Sequence, residues 1–207
     1  MAQPSLRSVA REAPFYVARG EEVATFPARA MIVMAANPCP CGEYHPHDRD
    51  NRCTCPEVKR RAYRSKLSGP LTDRIDITRY VEPLRPHQLV DPLADPEPSA
   101  PIRERVTAAR RRQEDRYSGT PWRLNADVPG PVLRQRWPMA DEAGAALDAQ
   151  VYAGRLTRRG ATRVHRLAWT VADLLALARP GTAELEVALR LRTGEPLRLD
   201  SLRERAG

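Results

Sequence analysis

Met31-Ile32-Val33-Met34-Ala35-Ala36-Asn37-Pro38-Cys39-Pro40-Cys41-Gly42 carries the two signals that organise this chain. Its first six residues are a continuous apolar run, the pattern of a short strand buried on both faces of a parallel sheet. Asn37-Pro38 stops the run, because proline has no N–H to give a ladder. The remainder opens a polar loop, 37–55, that holds all four cysteines: Cys39 and Cys41 as one C-x-C pair, Cys53 and Cys55 as another.

Downstream of the loop, Pro56 suits the first turn of a helix, and Glu57 to Leu67 is helix-compatible and basic. Ser68-Gly69-Pro70 ends it. Ile75, Ile77 and Tyr80-Val81 suggest a second short strand. Upstream, Val17 to Thr25 is weakly strand-like around Gly20. Residues 83–101 hold Pro83, Pro86, Pro92, Pro96, Pro98 and Pro101 with few apolar side chains, a linker composition. The domain boundary is expected there, between a 1–82 segment and a helical region, 102–207.

In the helical region Ile102 to Tyr117 reads as a helix, 118–138 as a connection carrying Trp122 and Trp137, and Asp141 to Tyr152 as a helix capped by its first acid. A longer helix from Leu156-Thr157 to about Ala178 has Thr157 as N-cap. Val164, Leu167, Ala168, Val171, Leu174, Leu175 and Ala178 recur along it at three- and four-residue steps, so one stripe is buried. Pro180-Gly181 breaks it, and Thr182 is expected to cap a last helix through Leu191.

Composition restricts function. With 42% hydrophobic and 5% aromatic residues, 20 prolines and 29% charged residues in 207, the core is thin. Lysine and arginine outnumber acids 34 to 26, for a net charge of +8 and a pI near 9.8. Polyanions are plausible partners, with solvated arginine faces as the alternative. No apolar stretch approaches the ~20 residues that span a bilayer, and Met1 to Phe15 lacks a signal-peptide core, so no membrane partner and a cytoplasmic location are expected.

In a reducing compartment four clustered cysteines suit a metal better than two disulfides. Zinc takes four tetrahedral thiolates or imidazoles and would fix a loop with almost no apolar residues. Cys39, Cys41, Cys53 and Cys55 are the candidate ligands of a structural zinc, His45 and His47 competing ones, and reduced surface thiols the alternative. Beside the loop, Lys59, Arg60, Arg61 and Arg64 form a basic run that can face phosphates, without the interleaved aromatics of a single-strand groove.

The cysteine loop, then Ser68-Gly69-Pro70-Leu71-Thr72-Asp73-Arg74-Ile75-Asp76, then Arg103-Glu104-Arg105-Val106 and Leu156 to Leu175, resemble in their order the magnesium-chelatase-like AAA+ ATPases of the ComM/YifB family. The likeness spans roughly three quarters of the chain and corresponds to the carboxy-terminal portion of such a protein. It implies an α/β remnant of an AAA+ core, with short parallel strands and the Cys-rich loop, followed by an all-α lid domain, mostly helical with long Pro-rich connections.

By the same resemblance Asn37 would be sensor 1, orienting the attacking water at the γ-phosphate. Arg74 would be the arginine finger offered in trans to a neighbouring subunit, and Arg159 would be sensor 2 of the lid. An amide can donate and accept beside phosphate without adding negative charge, and a guanidinium stays charged and binds two oxygens. From the residues alone Asn37 also reads as an Asn-Pro turn, Arg74 as the partner of Asp73 or Asp76, and Arg159 as a solvated cation with Arg158 its competitor.

ATP binding needs Gly-x-x-x-x-Gly-Lys-Ser/Thr and an acidic pair for magnesium. Neither Walker motif occurs, and Lys59 and Lys66 are the only lysines. The resemblance therefore implies part of an ATP-driven hexameric ring that remodels DNA by branch migration, with ATP and magnesium belonging to the complete family protein. This chain is not expected to hydrolyse ATP alone. The alternative is a non-enzymatic, zinc-containing nucleic-acid-binding module. Metal insertion into a porphyrin is a third reading, for which the sequence offers no tetrapyrrole pocket.

Overall fold

The computed structural model of the chain describes residues 15–26, 31–44, 51–66, 74–81 and 97–197. Two compact units divide it, Met1–Ile75 and Asp76–Gly207. The expected linker at 83–101 lies largely outside the described residues, as do His45, His47 and Ser68 to Asp73.

In the first unit, β1 (Phe15–Arg19) and β2 (Glu22–Phe26) pair as an antiparallel hairpin, with Arg19 opposite Glu22 and Phe15 opposite Phe26. Gly20 turns the chain at φ +64°, where glycine has no Cβ to clash. The strand-like reading of Val17 to Thr25 thus becomes a hairpin around Gly20. The apolar run 31–36 behaves otherwise. It joins no ladder, and Met31 is 90% and Val33 82% exposed. A short strand is held by its neighbours, and among the described residues of this unit none offers 31–36 an edge. The loop then leads into α1 (Glu57–Ser65), with Pro56 at its N-cap rather than inside the first turn.

The second unit is helical: α2 (Ser99–Arg116), α3 (Gly130–Arg136), α4 (Asp141–Tyr152), α5 (Arg158–Leu174) and α6 (Thr182–Thr193). The expected second strand around Ile75 to Val81 forms no ladder. Instead Thr78 N–H donates to Leu191 O at 2.8 Å, and Asp76 pairs with Arg163 of α5. Gly194, at φ +79°, closes α6 beside Thr78 and Tyr80; a Cβ there would come within 3.0 Å of the tyrosine ring.

Thr157 caps α5 as its sequence position predicts, its hydroxyl accepting from Gly160 N–H at 3.0 Å. The other two expected caps shift by one residue. Ala140 is the N-cap of α4, leaving Asp141 in the first turn, where its charge favours the helix dipole. Gly181 caps α6, and its N–H is accepted by Glu184 Oε2 at 2.8 Å. The α5 stripe is buried through Val171, but the helix ends at Leu174, which is 41% exposed. Ala176 takes the left-handed conformation at φ +56°, and Leu177 N–H returns to Ala172 O at 2.9 Å, closing the C-terminus.

Two clusters form the core of this unit. Met139, Ala143 and Leu147 meet Ala161, Val164, Leu167 and Ala168 of α5 and Leu185 and Ala188 of α6. Tyr117, Val128, Leu133 and Trp169 form the second, joined by Trp122 and Trp137. Residues 118–138, expected as a connection, contain α3, whose Gly130 lies so close to Thr162 that a Cβ would be 2.6 Å from the hydroxyl oxygen.

Candidate metal centre and arginine positions

Cys39-Pro40-Cys41-Gly42 is a tight turn: Gly42 N–H donates to Cys39 O at 3.1 Å, with Gly42 at φ +86°. Two prolines and the turn direct both sulfurs of the first pair to one side, and Cys53-Thr54-Cys55 brings the second pair against them just before α1. The sulfurs of Cys39 and Cys41 are 3.2 Å apart, those of Cys39 and Cys53 3.6 Å, and those of Cys41 and Cys53 3.7 Å. All four lie within 4.8 Å of one another.

Four thiolates about 2.3 Å from a tetrahedral ion sit about 3.8 Å apart. The cluster therefore has the size of a four-thiolate site and can hold a metal ion. Its donor set is compatible with structural zinc, since four protein ligands leave no open position for catalysis. Cys39 is fully buried although its loop has no apolar core, a burial that ligation by these sulfurs would explain.

The thiols are electrostatically unequal. Hydrogen bonding from the Glu43 backbone, then from the Cys39 thiol, lowers Cys41 from 9.0 to about 6. Loss of solvent, reinforced by the Cys41 thiol, raises Cys55 to about 11. One sulfur is thus poised as a thiolate near neutral pH while another holds its proton, and a metal would have to displace that proton.

Of the basic run, Lys59, Arg61 and Arg64 are exposed and Arg60 is half-buried. Arg61 pairs with Glu57 one turn earlier at 3.0 Å. Arg60 lies 4.6 Å and Arg64 5.5 Å from the centre of the Tyr44 ring. Asn37, two residues before Cys39, is exposed, and Arg74 is half-buried in 3₁₀ conformation. Arg159 is the exposed second residue of α5, in the other unit. Asp76, offered above as a partner for Arg74, pairs with Arg163.

The comparisons with known proteins bear on both units. The family model "Magnesium chelatase, subunit ChlI" matches residues 2–89, and "Magnesium chelatase, subunit ChlI C-terminal" matches residues 96–192. YifB of Escherichia coli, an uncharacterized protein, is 34% identical over 171 residues. Competence protein ComM of Haemophilus influenzae is 29% identical over 171 residues, 82% of this chain and 32% of that protein. The chain belongs to the magnesium-chelatase-like ComM/YifB family.

An uncharacterized protein of Mycobacterium tuberculosis is 37% identical over 191 residues, 92% of this chain and 37% of the relative. The chain spans about a third of the length of the family relatives it matches. Membership supports an AAA+-like function at the level of the family. Among the described residues no helix is long and apolar enough to cross a membrane.

Sequence reasoning did not find the polar centre of the second unit. Asp173, fully buried on α5, pairs with Arg116 of α2 and accepts from Asn125 Nδ2 at 2.9 Å. Tyr117 Oη donates to Asn125 Oδ1 at 2.7 Å, and the Arg116 guanidinium lies 4.0 Å from the Trp169 ring centre. An aspartate one turn after Trp169, on the helix face opposite Val164, was the available signal. The network's members are spread from Arg116 to Asp173, so spacing alone does not connect them.

Proposed function

We propose that this chain serves as the carboxy-terminal part of a magnesium-chelatase-like AAA+ ATPase, an ATP-driven DNA-remodelling ring of the cytoplasm. The observation that carries the proposal is the match to two consecutive chelatase models, one on each unit, together with a relative named as a competence protein. In this reading Asn37 orients the attacking water, Arg74 stabilises the transferring phosphoryl group in a neighbouring subunit, and Arg159 contacts the nucleotide from the lid. The Walker half acts from outside these 207 residues. Cys39, Cys41, Cys53 and Cys55 hold a structural zinc, which supplies the fixed geometry that the loop's few apolar residues cannot.

The test is complementation. The pure chain should hydrolyse no ATP. Mixed with a family protein segment carrying both Walker motifs, it should restore DNA-dependent hydrolysis, and Arg74→Ala should reduce that rate about a thousandfold, the scale of an arginine finger. Failure of the mixture to turn over ATP would sink the proposal.

The exposed Lys59 and Arg64 beside the cysteine cluster favour a second reading, a non-enzymatic, zinc-containing nucleic-acid-binding module. Binding of DNA by the isolated chain, weakening steeply with salt, is its signature.

A further inference from the structure

Arg60 and Arg61 are adjacent on α1 and differ in what they touch. Arg61 is turned to water and to Glu57. Arg60 reaches back into the cysteine loop: its Nη1 donates to Cys55 O at 3.3 Å and lies 4.0 Å from Cys53 Sγ. Its guanidinium covers the Tyr44 ring at 4.6 Å, and its Nε is buried without a hydrogen-bond partner among the described residues. A cation withdrawn from water in this way is costly unless negative charge lies close by.

Four thiolates around a divalent ion leave two net negative charges, and Arg60 places a cation 4.0 Å from one of these sulfurs. We propose that Arg60 is the positioning and charge-balancing residue of the metal centre, clamped between Tyr44 and the Cys53–Cys55 pair, and is not a phosphate contact. This rests on the metal reading of the four cysteines. The clamp ties the loop's sulfurs to the first turn of α1, so that helix and metal order one another. Arginine suits the position because its planar head stacks on tyrosine while its N–H groups reach carbonyl and sulfur together. Partners of this kind that orient and neutralise ligands typically carry 10- to 100-fold of metal affinity.

The experiment is a competition between the full chain and a chromophoric chelator for Zn²⁺, repeated with Co²⁺ to follow the thiolate charge-transfer band. Arg60→Ala should weaken Zn²⁺ binding roughly 10- to 100-fold. Arg61→Ala, the same charge removed one residue along, should stay within about twofold. Arg60→Lys should fall between them, since an ammonium restores charge but neither the stacking nor the forked donors. Equal affinities for Arg60→Ala and Arg61→Ala overturn the proposal. So does an Arg60→Lys chain no tighter than Arg60→Ala, which would leave Arg60 a packing role. If the unaltered chain takes up no Zn²⁺ or Co²⁺, the four-cysteine reading fails first, and the role of Arg60 with it.

Discussion

Between residues 15 and 75 the described side chains bury only Cys39, whereas between 109 and 188 two apolar clusters and a paired arginine and aspartate pack around one helix, α5. The amino-terminal unit has a hairpin with exposed valines, an unpaired apolar run and a four-sulfur cluster. The carboxy-terminal unit has the ordinary means of a small helical domain. A segment with so little burial depends on cross-links or partners for order, while one with an amphipathic 17-residue helix at its centre does not. The comparison predicts that the two units fail independently, and the chain reports on this cleanly, because its three tryptophans, Trp122, Trp137 and Trp169, all lie in the second unit.

On the zinc reading proposed above, metal loss gives the largest expected effect. Structural zinc contributes on the order of 10 kcal/mol in small modules. Chelation, or Cys39→Ser, should make residues 31–66 rapidly cleavable by protease while tryptophan emission stays unchanged. Metal-free protein as resistant there as the untreated chain would break the comparison, and so would an amino-terminal unit that outlasts the helical one.

The reverse perturbation comes next. Asp173→Leu leaves the Arg116 guanidinium, only 12% exposed, without its carboxylate, at a cost of about 3–5 kcal/mol. Urea unfolding followed by tryptophan emission should show that loss, with the metal content of the cysteine loop unaltered. Adding Arg116→Met should recover much of it, because an apolar pair avoids the stranded charge. Full stability of the single variant would mean that the pair contributes little.

The smallest effect is set by pH. His165 is buried on α5 with Nε2 3.1 Å from Trp137 O, and desolvation lowers its pKa from 6.5 to about 4, the carbonyl opposing. The folded unit therefore favours the neutral ring. Stability should be complete above pH 6.5 and fall as pH drops from there to about 4, by roughly 3 kcal/mol in total. His165→Gln should flatten the fall in midpoint between pH 7 and 5 measured by tryptophan emission. An equal acid slope in the variant would place the sensitivity elsewhere.

The parts of this chain governed by nearest neighbours were legible before folding. The Thr157 cap, the stripe from Val164 to Val171 and the bounds of Asp141–Tyr152 follow from interactions within one helix, and the strand character around Gly20 was visible although the hairpin was not. The two C-x-C pairs announced a cluster that can hold a metal ion, because ligand chemistry depends on residue type. Errors arose where the outcome depends on what stands alongside. Met31 to Ala36 has the composition of a buried strand, but burial requires a neighbouring edge, and composition cannot supply one. Gly130–Arg136 was hidden because seven residues between prolines carry little periodic signal.

The four cysteines, the family and the helical character of 141–191 were already fixed by residue type and local spacing. Contacts across long stretches of chain required the fold itself. Folding turned Arg60 toward sulfur and Arg61 toward water, and joined Arg116 to Asp173 across 57 positions. A side chain's charge is written in the sequence, but its partner depends on which backbone segments come to lie side by side.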